Sequence, residues 1–295
     1  MSFGLGHGRR LDDAPGVVGV SESELGPLPD DAVTNPESGR VDPRAWFADP
    51  ARPFELEIGS GKGTFLVQQA ELEAGTNFLG IEWAREFYAY AADRVRRRRD
   101  AGSHTNVRML HADAAEFLRW RCPAEICRVI HLYFSDPWPK SRHHKKRVVQ
   151  HRFLAEAWRV LEPGGELHVV TDHDELWAWD MAHFERWAEP GLRGESSPSL
   201  EREDSTFAAF IESASLARAR GSLPAMPEAA RGLRAMMPDP PFELLRFDRP
   251  ESAGSGEIVG TNFERKFRVE GRSFHACTLK KRVGRADADS SRLSR

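Results

Sequence analysis

Between residues 51 and 187, short apolar runs alternate with stretches of helical periodicity, and this alternation constrains the fold more than any other feature. Residues 54–58 are followed by a glycine-rich turn and a helical stretch over 64–74. Residues 77–81 lead into a helix over 84–99, with Phe87, Ala91 and Val95 on one face. Residues 107–110 lead into 112–120, and the run RVIHLYF over 128–134 has the apolar density of a strand buried in a parallel sheet. A helix over 146–161 meets a stop at Pro163-Gly164-Gly165, and a strand over 166–171 leads into a helix over 175–187. Strands alternating with helices in this way predict an α/β fold, a doubly wound, mostly parallel, Rossmann-like sheet. In such sheets ligands sit outside the carboxyl ends of the strands.

The residues at those ends carry the chemistry. The first strand ends in Glu57-Ile58-Gly59-Ser60-Gly61-Lys62-Gly63. Closely spaced glycines permit a tight turn and close approach of backbone to a ligand, although the same turn serves plain packing elsewhere. No GK[ST] closes the spacing, which excludes a phosphate-binding P-loop. Glu82 ends the second strand, 25 residues after Glu57, where an acid can accept from both hydroxyls of a ribose; a solvated surface glutamate is the bland alternative. Asp113 follows the third strand and suits an adenine amino group or the cap of the next helix. The fourth strand runs into FSDPWPKSRHHKKR. Here Asp136, Trp138 and Lys140 sit on a loop stiffened by Pro137 and Pro139. From Lys140 to Arg152 there are six Lys or Arg and no acid, on a chain of net charge −3. Read as a helix start, that run opposes the macrodipole, which favours an anionic partner such as a nucleic-acid backbone. The arginines over 94–99 end a helix and read as a solvated face. Thr171 and Asp172 end the fifth strand, either as a cap or as part of the ligand crevice.

Together these residues resemble the bacterial tRNA (guanine-N7-)-methyltransferase family. The likeness covers residues 54–182 and a patch at 261–265, and its most specific element is the Asp-Pro-Trp-Pro-Lys loop with its trailing basic segment. EIGSGKG, GIE, ADA, the EPGGEL turn and Thr261-Asn262-Phe263-Glu264-Arg265 also match. The resemblance implies a class I methyltransferase sheet with an antiparallel final strand. It implies S-adenosylmethionine as donor, held by Glu57, Gly59, Gly61, Gly63, Glu82, Asp113 and Asp136, and no metal. It further implies that Lys140, Asp172, Thr261, Asn262, Phe263 and Glu264 contact the guanosine of a tRNA, with Asp136 as the catalytic residue.

Three departures stand out. Residues 1–50 carry only four cations and read as an irregular arm. Asp172 and Thr261 lie 89 positions apart, so about 190–255 reads as an insertion in a methyltransferase domain over 51–282. The stretch 273–280 does not follow the family's closing motif. Residues 283–295 read as a disordered tail. Three cysteines form no CxxC pair, the amino terminus lacks a signal-peptide core, and no apolar run nears the roughly 18 residues of a membrane span. A cytoplasmic protein, monomer or homodimer, is expected. Rival readings are methylation of an exocyclic amine, NAD binding on the same Gly-rich turn, and a non-catalytic RNA-binding protein on this fold.

Overall fold

The computed structural model describes residues 10–190 and 228–283, together with Leu5, Gly8 and Met226. In chain order the elements are α1 (Glu22–Leu25), β1 (Phe54–Ile58), α2 (Thr64–Leu72), β2 (Asn77–Glu82), α3 (Arg85–Asp100), β3 (Val107–His111), α4 (Ala114–Trp120) and β4 (Cys127–Tyr133). There follow α5 (His151–Val160), β5 (Leu161–Thr171), α6 (Asp174–Phe184), β6 (Ala188–Pro190), α7 (Glu228–Ala235), β7 (Phe242–Leu245), α8 (Asn262–Val269) and β8 (His275–Lys281). Two compact units result. The first comprises Met1–Tyr133 with Arg249–Arg272, the second Phe134–Asp248 with Ser273–Arg295.

The first unit is built on parallel strands in the order β3-β2-β1-β4, with Glu57 level with Gly80 on one side and His131 on the other. All five residues of β1 are buried, two of them glutamates. Glu55 is tolerated there because Arg128 and His131 both donate to it, His131 at 2.8 Å, which holds its carboxyl below the usual range despite burial. Val18, Leu66, Val67, Phe78, Tyr88, Val95 and Met109 pack into one apolar cluster.

That cluster changes the picture of the first fifty residues. Residues 10–50 are short on regular structure, but several of them pack against the sheet, Val18, Ala32 and Phe47 being buried. Val20 donates to the Met109 carbonyl and Met109 to that of Val18, so the segment lines the edge of β3. Arg108, almost fully buried, donates to the carbonyls of Val18, Gly19 and Trp46 and to both oxygens of Glu24. The helix α1 starts at a complete capping box between Ser21 and Glu24.

In the second unit the order is β5-β8-β7-β6. β8 runs antiparallel to both β5 and β7, while β6 and β7 are parallel. The α/β architecture and the antiparallel final strand are those expected. The expected insertion needs correction, because Phe242–Leu245, inside 190–255, is a sheet strand. Phe242, Leu244 and Leu245 are all buried, and the Pro241 carbonyl accepts from the Trp158 indole. Residues 191–225, which include the apolar piece 207–216, and residues 284–295, expected as a tail, lie outside the described residues.

Candidate active site

In the first unit the strand ends converge on the Gly-rich turn. Gly61 and Gly63 adopt φ of +54° and +65°, a region costly for residues with a side chain. A Cβ on Gly63 would also meet that of Ala91 at 3.1 Å, so this glycine lets α2 start against α3. The helix α2 begins without a side-chain cap, and in its first turn the Leu66 amide donates to Glu57. Glu82 spans the turn, accepting from Gly61 N and from Ala84 N at 2.8 Å each. Arg94 reaches Lys62 O at 3.2 Å and Thr64 Oγ1 at 3.1 Å, so this member of the arginine run supports the turn instead of facing solvent. Arg96 and Arg97 pair with Asp93.

Beneath the turn lies Glu57. Its side chain is buried, and Oε2 has no hydrogen-bond partner. Burial, and next the neighbouring charge of Glu82, push its pKa well above the ordinary carboxyl range. The Ser60 hydroxyl is likewise buried without a partner. An acceptor left unpaired beneath a glycine turn suits a cationic, hydrogen-bonding ligand, and a sulfonium amino acid is one. Asp113 is exposed and caps α4 through Glu116 N at 3.1 Å.

Residues 261–264 join this turn from nearly two hundred positions away. Asn262 Nδ2 donates to Thr64 Oγ1 at 3.0 Å, and Gln68 Nε2 donates to Gly260 O at 3.1 Å. The exposed ring of Phe263 would lie 3.7 Å from a Cβ on Gly61. Thr261 caps α8 by accepting from Glu264 N. Glu264 has no exposed surface, and its carboxylate accepts from the backbone of Ile258, Val259 and Gly260 and from Arg268. Its oxygens are thus committed to shaping the loop.

In the second unit the loop after β4 turns without glycine. Phe134 and Trp138 take φ of +54° and +42°, which costs about 1–3 kcal/mol per residue. Arg147 supports this geometry. It is buried, donates to Pro137 O at 2.8 Å and to Glu175 at 2.7 Å, and lies over the Trp179 ring. Lys146 sits 4.6 Å from the centre of the Trp138 ring, and His143 meets that ring edge-on. Asp136 and Lys140 are exposed.

The basic run differs from its expected form. Ser141–Lys146 is a separate 3-10 helix, and α5 begins only at His151, so the cations do not oppose a long helix dipole. Lys140, Arg142, Lys145 and Lys146 face solvent, while Arg147 is internal. At the end of β5, His173 caps α6 by accepting from Leu176 N at 3.2 Å. Capping therefore requires neither Thr171 nor the half-buried Asp172.

Among the described residues no group of three or more His, Cys, Asp or Glu is placed to hold a metal, and no helix is long and apolar enough to cross a membrane. The sequence reading missed the Arg147 support, the Arg94 brace and the positive φ at Phe134 and Trp138. Arg147 left a trace as the last residue of FSDPWPKSRHHKKR, and Arg94 as the first of a run read as a solvated face.

Strands alternating with helices, with a glycine turn at the end of β1, define a Rossmann-like α/β protein. A family model described as putative methyltransferase matches residues 51–203. The tRNA (guanine-N(7)-)-methyltransferase of Corynebacterium diphtheriae is 40% identical over 147 residues, 50% of this chain and 55% of that protein. Its namesake in Geobacillus thermodenitrificans is 32% identical over 167 residues, 57% of this chain and 74% of that protein. The one in Streptococcus suis is 34% identical over 159 residues, 54% of this chain and 72% of that protein. The chain thus spans about half the length of the first of these relatives. It belongs to the bacterial tRNA (guanine-N7-)-methyltransferase family.

Proposed function

We propose that this chain transfers a methyl group from S-adenosylmethionine to N7 of a guanine in tRNA. The observation that carries the reading is the buried Glu57 carboxyl, its Oε2 without a partner, beneath a glycine turn on which residues 261–263 are docked, in a chain of this family. When bound, S-adenosylmethionine supplies the methyl group on a sulfonium. Glu57 and the glycine turn at the start of α2 hold the amino-acid part, Glu82 the ribose and Asp113 the adenine. Gly59, Gly61 and Gly63 bring the backbone close to the donor.

Guanine N7 offers a lone pair and carries no proton. The chain therefore needs no general base, and its contribution is orientation plus stabilisation of charge moving onto the purine. Asp136 and Asp172 accept from guanine N1–H and the exocyclic amine, which selects guanine over adenine. Asp136 also lies at the donor in this reading and balances the developing charge. Lys140, Asn262 and Phe263 hold the nucleotide, and Thr261 and Glu264 act through the shape of the loop. The cations Arg142, Lys145 and Lys146 meet phosphates. The methyltransferase domain is 51–282, with an insertion shorter than 190–255, because Phe242–Leu245 belongs to the sheet. A cytoplasmic setting follows from the substrate.

Nucleoside mass spectrometry of tRNA incubated with the protein and donor tests this reading, coupled to borohydride and aniline cleavage. A new methyl at a site that cleaves is the expected result. A methyl at a site that resists cleavage assigns the reaction to an exocyclic amine and overturns the N7 assignment.

A further inference from the structure

The arginine run of α3, expected as a solvated face, divides in two. Arg96 and Arg97 share the buried carboxylate of Asp93, and Arg96 also meets Asp12 and Asp100. Arg94 and Arg98 are bound differently. Arg98 donates to the Arg94 carbonyl at 3.5 Å, and Arg94 to the Lys62 carbonyl at 3.2 Å. Lys62, Arg94 and Arg98 therefore follow one another from the glycine turn along α3. All three are half-buried, and among the described residues no acid pairs with any of them.

The fold alone does not call for this row. Like charges one turn apart on a helix repel each other. Burial, and next the charge of Arg98, push the Arg94 guanidinium below its ordinary range. The helix dipole favours cations in the last turn, which holds Arg97, Arg98 and Arg99 but not Arg94. Bracing the turn needs only Arg94, which reaches Thr64 Oγ1 as well as Lys62 O. Lys62 and Arg98 add charge to that brace and no bond. On a chain of net charge −3 this positive potential is local, and an anionic partner offsets it. A single small anion needs one or two such cations; a row suits a polyanion. It starts at the turn assigned above to the donor, where a strand presenting a guanosine has to arrive. Backbone phosphates recur at every nucleotide, so contacts to them place a strand without reading its sequence.

We propose that Lys62 and Arg98, with the charge of Arg94 between them, bind backbone phosphates of the RNA strand that carries the methylated guanosine. The proposal rests on the tRNA reading and adds a phosphate contact in the unit that holds the donor turn. Lys62 and Arg98 are its cleanest probes, because neither is assigned to donor, target or brace.

The test uses the full chain and a tRNA transcript over a range of salt concentrations. Lys62→Gln and Arg98→Gln should each raise the KM for tRNA about fivefold at low salt, the upper range for an exposed ion pair. Each should flatten the salt dependence of binding by roughly 0.7–0.9 in logarithmic slope, with kcat within about twofold. Lys62→Arg and Arg98→Lys, which keep the charge, should retain the wild-type slope. Arg52→Gln, which removes a charge elsewhere in the same unit, should retain it too. A neutral methylphosphonate linkage, moved through the nucleotides flanking the target, should weaken wild type at one or two positions. At those positions the double glutamine variant should be no worse, because the two changes remove one contact. An unchanged slope in the glutamine variants, or losses that multiply with every methylphosphonate, overturns the row. So does a dimer in sedimentation that these variants dissolve without changing RNA binding. A loss of calorimetric affinity for S-adenosylhomocysteine in Lys62→Gln would assign Lys62 to the donor and overturn its place in the row. Salt-dependent tRNA binding through Lys62 and Arg98 without methyl transfer keeps the row and overturns the function proposed above; transfer with an unchanged slope in the variants does the reverse.

Discussion

The turn after β1 and the turn after β4 meet the same demand, a sharp reversal at the carboxyl end of a central strand, by opposite means. The first uses glycine wherever φ is positive, so it stores no steric strain and leaves the backbone as the contact surface. The second places Phe134 and Trp138 in left-handed conformations and so keeps side chains where glycine would supply none. It stays in place because Arg147 holds the Pro137 carbonyl while Lys146 and His143 pack on Trp138. The difference teaches which turn needs backbone and which needs side chains. A ligand read through amides suits the first turn, and one selected by carboxylate and ring suits the second. Observed strain of this kind is a pointer to function.

The largest expected effect lies in the second turn. Asp136→Asn preserves shape but replaces a pure acceptor with a group that also donates. Turnover should fall roughly 10²–10³-fold, the scale of one preorganised electrostatic contact. Raising the pH from 7 to 9 should recover little, because methylation at N7 releases no proton. Recovery at high pH in single-turnover assays would mean that a proton is removed, and the exocyclic-amine reading would then take over.

Next comes the support of that turn. Arg147→Ala removes a buried charged hydrogen bond to Pro137 O and should cost about 2–3 kcal/mol in thermal or urea unfolding. Its bond to the half-exposed Glu175 adds little. Donor affinity should hold while turnover drops. An unchanged melting temperature would show that the strained loop stands without Arg147, and the contrast between the turns would lose its physical basis.

On the first turn, Glu82→Ala should weaken S-adenosylmethionine binding by about 1.5–3 kcal/mol, the range for hydrogen bonds to a charged group. The same substitution frees the amides of Gly61 and Ala84, so the comparison needs a folded variant, judged by circular dichroism. Equal calorimetric affinity would move the ribose contact elsewhere.

Glu57 links this turn to pH. Its folded pKa is raised, so the folded state without donor binds more protons than the unfolded chain, from the ordinary carboxyl value up to the raised one. Stability without donor is therefore favoured below that window and declines as pH rises through it. A cationic donor favours the ionised form, so binding should release up to one proton, and affinity should fall as pH is lowered through the window. Calorimetry in two buffers of different ionisation enthalpy reads this directly. Identical heats in both buffers would mean that Glu57 does not meet the donor's charge.

The frame of βα units was legible because apolar runs and helix stop signals are local, and the strand-end acids could be read off it. Other features depend on partners far along the chain. Phe242–Leu245, between prolines and an arginine, is a strand because β6 and β8, both distant in sequence, pair with it on either side. The first fifty residues read as an irregular arm because Arg108, which donates to the carbonyls of Val18, Gly19 and Trp46, lies far along the chain from them. The docking of Asn262 on Thr64 left no local signal, and the family likeness alone pointed there. The φ values at Phe134 and Trp138 are imposed by tertiary packing on residue types that disfavour them, so no propensity foretold them.

The smallest effects give the most direct trial of the contrast, because they exchange the two solutions. Gly61→Ala puts a side chain on a backbone at φ +54°, with Phe263 only at ordinary contact distance. The cost should be near 1–2 kcal/mol, almost all of it conformational. Trp138→Gly does the converse. It relieves a strained φ but removes the ring on which Lys146 and His143 pack, so the net change in unfolding free energy should stay within about 1 kcal/mol of zero. The functional outcomes should diverge all the same. Gly61→Ala should weaken donor binding, whereas Trp138→Gly should leave it intact and lower turnover on tRNA. Should Trp138→Gly instead match wild-type turnover, the strain at that turn would serve no side chain, and a glycine turn would have done as well.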